Sequence, residues 1–240
     1  MFKNAWSGKW HGNSPDGDSH KRSREVVKHT GITVRGKFPS RKNGRMVHHE
    51  SLLELDAIYL FETSFRIKRY REQPPKISYV DGEKMRRYTP DFELLLGTDE
   101  IVLIEVKHSE SLEHKDTYLN LKIIEDSMQK HDIDFMIMTD KVIRLEPRLS
   151  NLRWIHAESS RIWPTSGAIK NALALHEGLF PMPLQDAIAI FEKININVFS
   201  LIMTGNLTLD LNNPITPETI IGIRKDSYDA SVWIAQEYGF

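Results

Sequence analysis

The strongest constraint on this chain is residues 88–107, Tyr-Thr-Pro-Asp-Phe-Glu-Leu-Leu-Leu-Gly-Thr-Asp-Glu-Ile-Val-Leu-Ile-Glu-Val-Lys. Two short apolar runs, Phe92–Leu96 and 101–106, flank the turn-forming Gly97-Thr98-Asp99, and the second run is rich in β-branched residues. That pattern predicts a β-hairpin. Side chains at i and i+2 share one face of a strand, so Glu105 and Lys107 point the same way while Val106 turns into the core. Pro90 suits the head of the partner strand, where no ladder N–H is needed. Asp91, just after it, supplies a second carboxylate across the hairpin.

Two carboxylates, the backbone carbonyl of Val106 and waters are the oxygen donors a hard cation such as Mg²⁺ prefers. Lys107 beside them is placed to orient or deprotonate a water, or to stabilise charge developing on a phosphate. The competing meaning of the same residues is a surface ion pair at a strand end.

Residues 47–62 carry Leu52, Leu55, Ile58 and Tyr59 at helical spacing and predict a helix over the whole stretch. Glu54 falls among Leu52, Leu53 and Leu55, on or beside the face that packs, where an unpaired carboxylate is expensive. It is either a third acid reaching the hairpin or an ordinary solvated glutamate. His48 and His49 are adjacent, so on a helix they do not converge on one metal; helix entry or phosphate contact suits them better.

Downstream, 65–74 reads as a strand with a polar face and 77–80 as another before the turn at Asp81-Gly82. Arg66, Lys68, Arg69 and Arg71 either track DNA or protect an edge strand. Residues 114–130 have helical apolar spacing and 135–138 read as a short buried strand. Helix, strands, helix, strand is an α/β order.

The chain has 240 residues, ample for a core, and no cysteine, which excludes disulfides and thiolate zinc sites and suits a reducing compartment. No apolar run approaches a membrane span, and no apolar signal core follows Met1, so a cytoplasmic protein is expected. The net charge of −1 hides an asymmetry: the first 50 residues hold 11 Lys/Arg against 4 Asp/Glu, while the rest hold 21 against 29. Residues 1–44, broken by Gly, Ser and Pro and lacking a regular period, read as an extended basic arm. Lys21, Arg22, Arg24, Arg35, Lys37, Arg41 and Lys42 are its candidate phosphate contacts.

Trp163-Pro164 marks an expected division into a basic arm plus catalytic domain (1–164) and a second module (165–240). From Thr165 onward there are 4 basic and 8 acidic residues, which argues against DNA as that module's main partner. Residues 168–176, 184–194 and 197–203 predict three short helices and 207–211 a strand, a set resembling a winged helix.

Together, Glu54 on a helix, Pro90-Asp91 and Glu105-Val106-Lys107 resemble the restriction-endonuclease-like nucleases with a Pro-Asp…(Asp/Glu)-x-Lys core. More narrowly, His48-His49, Leu53-Glu54-Leu55, Arg71-Glu72-Gln73-Pro74 and Thr89-Pro90-Asp91-Phe92 are similar in order and spacing to the TnsA family. These are the endonuclease subunits of heteromeric cut-and-paste transposases, and the resemblance covers about residues 30–160. It implies a mixed sheet flanked by helices and an enzyme, a Mg²⁺-dependent (or Mn²⁺-substituted) DNA endonuclease cutting the 5′ strands at transposon ends in the bacterial cytosol, associated with the nucleoid. It also implies that Glu54, Asp91, Glu105 and Lys107 are catalytic, that Asp91, Glu105 and the Val106 carbonyl bind metal with Glu54 nearby, and that Gln73 supports the site. The partners implied are double-stranded DNA at transposon ends, a TnsB-type DDE transposase, and a TnsC-type ATPase met through the C-terminal module; no membrane partner is expected. Some family members carry glutamine where this chain has Glu105, and Pro90 is not universal. A restriction or repair endonuclease, or a catalytically silent DNA-binding assembly subunit, are the alternatives on the same core.

Overall fold

A computed structural model describes residues 34–160 and 162–224. Lys21, Arg22 and Arg24 lie outside the described residues. The chain forms two compact units. The first holds Arg66–Ile143 with the described chain up to Phe61; the second holds Glu62–Phe65 and the described chain from Arg144.

The first unit opens with a hairpin of β1 (Gly36–Ser40) and β2 (Arg45–His49), in which Phe38 faces Val47. This corrects two expectations. The part of the basic stretch after residue 35 is not an extended arm, and the helix predicted from residue 47 starts later, as α1 (Leu52–Thr63). The physical reason is local: Phe38 and Val47 bury each other's strand, and Ser51 then caps the helix, its Oγ accepting from the Glu54 N–H at 3.0 Å.

The central sheet has four strands in the order β3 (Ile67–Glu72), β6 (Phe92–Leu96), β7 (Ile101–Lys107), β8 (Asp134–Thr139). β3, β6 and β7 run antiparallel in succession, while β8 is parallel to β7 and is reached through α2 (Lys115–Gln129). A parallel neighbour demands such a crossover. The predicted hairpin is therefore present, Phe92 facing Ile104 and Leu94 facing Val102.

Strand alternation sorts the core onto two faces. Tyr70, Phe92, Leu94 and Ile104 share one face, and Phe61 of α1 packs edge-on against Phe92 at 5.2 Å between ring centroids. On the other, Leu103 packs with Leu121, Ile124 and Met128 of α2 and with Ile77. That isoleucine begins a separate two-stranded ribbon, β4 (Ile77–Asp81) and β5 (Lys84–Tyr88). The sequence reading placed no strand at β5, whose Lys-Met-Arg-Arg-Tyr shows no alternating apolar face. A short α3 (Asp140–Ile143) closes the unit.

The second unit contains α4 (Arg148–Glu158), α5 (Ser166–His176), β9 (Met182–Pro183), α6 (Leu184–Glu192), α7 (Val198–Met203), β10 (Leu207–Leu209) and β11 (Ile220–Ile223). The three strands form an antiparallel sheet in the order β10-β11-β9. Every residue of α7 is buried; the helix packs against α4, α6 and β10, with Trp154 edge-on to Phe199 at 4.9 Å. Asn151 of α4 donates to the carbonyls of Leu211 and Asn213 and accepts from the Ile215 N–H, pinning the loop between β10 and β11. Among the described residues no helix is long and apolar enough to cross a membrane.

Candidate active site

The ladder that pairs Phe92 with Ile104 carries on by one residue to set Asp91 opposite Glu105. The junction is fixed by a hydrogen bond rather than left to the ladder alone: the Val106 N–H donates to Asp91 Oδ2 at 2.8 Å. From the other edge, the Gln73 N–H donates to the Asp91 carbonyl at 2.9 Å. Gln73 sits at φ 47, a conformation non-glycine residues seldom adopt, just where the chain leaves β3. Its link to the acid is thus through the backbone.

Lys107 shares a strand face with Glu105, and its Nζ lies 2.8 Å from Glu105 Oε1. The other carboxylate oxygen, Oε2, accepts from the hydroxyl of Tyr88, at the base of the ribbon. The sequence reading did not single out Tyr88. The only signal available was its place three residues before Asp91 as the one aromatic in a cationic strand.

Glu54 comes from the first turn of α1. Its Oε2 accepts from the Glu50 N–H at 2.8 Å, and its Oε1 accepts from the Ser51 hydroxyl at 3.3 Å. With the Ser51 bond to its N–H, this is a close variant of the capping box that Ser51-Leu-Leu-Glu54 spells in the sequence. Ser-x-x-Glu ahead of an apolar run was legible and supplies the partner that the buried position demanded. The carboxylate is not confined to capping, because it also feels Glu105 and Asp91 electrostatically.

The electrostatics follow from crowding. Burial pushes the Asp91 carboxyl well above the usual carboxylate range, and the charges of Glu105 and Glu54 push it further. The Val106 N–H and Lys107 pull part of the way back. Glu54 is raised chiefly by burial, with Glu105 adding to it and the Glu50 N–H opposing. For Lys107 burial works against the charged form, but Glu105, Asp91 and Glu54 outweigh it and hold the ammonium above the ordinary lysine value. Burial and the neighbouring Glu105 keep Tyr88 protonated, as a donor.

The remaining candidates are placed differently. Lys42 Nζ donates to the Phe61 carbonyl at 2.7 Å and Arg35 and Arg41 are half-buried, whereas Lys37 on β1 is exposed. Arg71 is buried in an ion pair with Glu93, its cross-strand partner, at 2.6 Å. Glu72 makes a two-pronged pair with Arg45, at 3.0 and 2.6 Å, and also accepts from the His48 N–H. His49 is buried, its Nδ1 3.0 Å from the Ser51 carbonyl and its ring against Gly36, where an added Cβ would lie 2.5 Å from Nε2. Burial lowers its pKa, so it stays a neutral packing group.

Among the described residues no three His, Asp or Glu side chains converge as a metal-binding group. The donor set at this site is of another kind: two facing carboxylates, Asp91 and Glu105, with the strand-end carbonyl of Val106 next to Glu105 in sequence. Two carboxylates suit Mg²⁺, which is bound through one or two of them and keeps several waters.

A mixed sheet between helices thus carries Pro-Asp at the head of one strand and Glu-x-Lys at the end of its neighbour. Residues 64–140 match the family model described as TnsA-like endonuclease N terminal. That stretch, about a third of the chain, is similar to the N-terminal domain of TnsA-like endonucleases. The match contains Asp91, Glu105 and Lys107 and begins after Glu54. No curated protein matches the chain.

Proposed function

We propose that this protein is the endonuclease subunit of a heteromeric cut-and-paste transposase, hydrolysing phosphodiesters of the 5′ strands at transposon ends with Mg²⁺, or Mn²⁺ in its place. The observation that carries the reading is the juxtaposition of Asp91 and Glu105 across one hairpin, with Lys107 on the Glu105 face. Asp91, Glu105 and the Val106 carbonyl would hold the cation, with Glu54 at its edge. A divalent cation there would supply positive charge to a phosphate that three acids otherwise repel.

The chain's own groups have distinct tasks. The Val106 N–H and the backbone link to Gln73 fix Asp91, and Tyr88 and Lys107 fix the two oxygens of Glu105. Lys107 also presents an ammonium to the non-bridging oxygens of the phosphate, stabilising charge as the fifth bond to phosphorus forms. Val106, turned to the opposite face, anchors the strand in the core so that these groups keep their geometry.

For the second unit we infer a winged-helix-like module that meets the ATPase of the transposition system. Its described order from α5, helix-strand-helix-helix-strand-strand, supports the architecture. The buried α7 and the acidic balance after Thr165 support a protein partner in preference to a DNA groove.

The test is strand-specific cleavage of labelled transposon-end duplex in a reaction reconstituted with the partner transposase and ATPase. Asp91→Ala and Lys107→Ala are each expected to lose at least about 10²-fold in 5′-strand cleavage with the fold retained. Normal cleavage by either variant would overturn the site. Efficient cutting of duplex without the transposase would point to a restriction or repair nuclease, and no cutting by wild type in the complete reaction to a silent assembly subunit.

A further inference from the structure

We infer that the β4–β5 ribbon is a DNA-contacting arm that seats against a groove of the duplex beside the scissile phosphate. The inference rests on the nuclease reading above and adds a surface to it. Cross-strand partners share a face, so Ile77 with Tyr88, and Tyr79 with Arg86, lie on one side of the ribbon, and Ser78 with Arg87, and Val80 with Met85, on the other. The first side is anchored: Ile77, Tyr79 and Tyr88 pack on the core formed by Leu103, Leu121, Ile124 and Met128. The second is open, with Val80 55% and Met85 70% exposed.

Charge selects the occupant. Residues 76–88 hold four cations, Lys76, Lys84, Arg86 and Arg87, against Asp81 and Glu83. Asp81 is engaged by Arg86 at 2.5 Å and faces Lys84 across the ribbon next to its turn, while Arg87 lies on the open side beside the apolar pair; Lys84 and Arg87 are both exposed. A cation beside the apolar pair and another next to the ribbon's turn suit phosphates flanking a groove lined by sugars and base edges. Gly82, at φ 61, makes the tight turn that keeps the ribbon narrow. A two-stranded ribbon is of a size the major groove admits.

Position completes the argument. The ribbon is rooted in the site, since Tyr88 at its base donates to Glu105 and Asp91 follows three residues later. Five-residue strands extend about 17 Å. A duplex that presents a phosphate to Asp91 and Glu105 therefore lies within the ribbon's reach.

The experiment uses the full chain and a short fluorescein-labelled duplex of random sequence, with affinity measured by anisotropy over a series of salt concentrations. Wild type is expected to bind at low salt, and K84A/R87A to bind about tenfold more weakly with the slope of log affinity against log salt reduced by about 2. Both residues are exposed, so the variant should melt with wild type. A photoreactive phenylalanine derivative in place of Met85 should crosslink to the duplex in the complete reaction. Unchanged affinity and slope in K84A/R87A, or crosslinking only to a partner protein, would overturn the inference. Asp91→Ala, measured alongside, separates the two readings: if it no longer cleaves while K84A/R87A binds as wild type, the ribbon assignment fails alone. If Asp91→Ala still cleaves, the nuclease site fails whatever the ribbon does.

Discussion

Glu93 and Asp91 stand two residues apart on one strand face, yet their charges are held in opposite ways. Glu93 is buried against Arg71, and its neighbour Glu72 against Arg45, so each of these acids has its own guanidinium. Lys107 pairs with Glu105 and also feels Asp91 and Glu54, whose carboxyls are pushed upward first by burial and then by neighbouring acids. Burial raises Glu93 too, but there Arg71 opposes it. The difference teaches that a buried acid matched to a guanidinium holds strands in register, whereas acids gathered around too few cations await a ligand.

The largest effect expected from this contrast is at the paired acid. Glu93→Ala strands the Arg71 guanidinium in the sheet and should cost about 3–5 kcal/mol of stability. Urea unfolding reads this directly, and a variant as stable as wild type would mean that the pair contributes nothing to the fold.

Removing an acid from the crowded set should act in the reverse direction. Asp91→Asn is expected to melt no lower than wild type, and higher at neutral pH. The sign follows from linkage: a carboxyl whose folded pKa lies above its unfolded value binds its proton more tightly in the native state. Its favourable contribution is present below the ordinary carboxylate range and is lost as pH rises towards the folded value, so the cost is greatest at neutrality. Saturating Mg²⁺, at about 100 times its dissociation constant, should return about 2.7 kcal/mol to wild type and much less to Asp91→Asn. Calorimetry at mildly acidic and neutral pH, with and without Mg²⁺, would show both; a variant destabilised at neutral pH and equally responsive to the ion would dissolve the contrast.

The smallest effect probes the acid that belongs to both kinds. Ser51→Ala removes the cap on the Glu54 N–H and should cost about 1 kcal/mol. If Glu54 also serves the site, cleavage per folded molecule should fall as well, because the residue's carboxylate loses its hydroxyl partner. A purely structural glutamate would leave cleavage per folded molecule unchanged.

Much of this arrangement was legible because it rests on period and chemistry. The turn signal at Gly97-Thr98-Asp99 and the apolar runs on either side of it are enough to put Asp91 across a hairpin from the strand that carries Glu105. What escaped was written in pairings between distant residues. Residues 47–49 look helical until Phe38 is known to face Val47, and a five-residue strand carries too little pattern to announce a partner in the preceding basic stretch. β5 was invisible because its inward residue is a lone tyrosine and the rest face water. For Arg71 the sequence leaves DNA contact and edge-strand protection equally open, because nothing in sequence spacing discloses a cross-strand Glu93. Glu54 was different: its capping role was available in Ser51-Leu-Leu-Glu54, and its nearness to Glu105 was not.

The crossover through α2 has a consequence for the order in which the chain can assemble. β6 and β7 are joined by a four-residue turn, so their pairing is local, whereas β8 reaches β7 only after the helix between them has formed and docked. Local contacts close sooner than distant ones. A chain emerging from the ribosome amino-terminus first therefore brings Asp91, Glu105 and Lys107 together while Leu103 still lacks the Leu121, Ile124 and Met128 that will cover it. The charges meet in water, where their repulsion is weak, before α2 covers the Leu103 face on which Glu105 also stands.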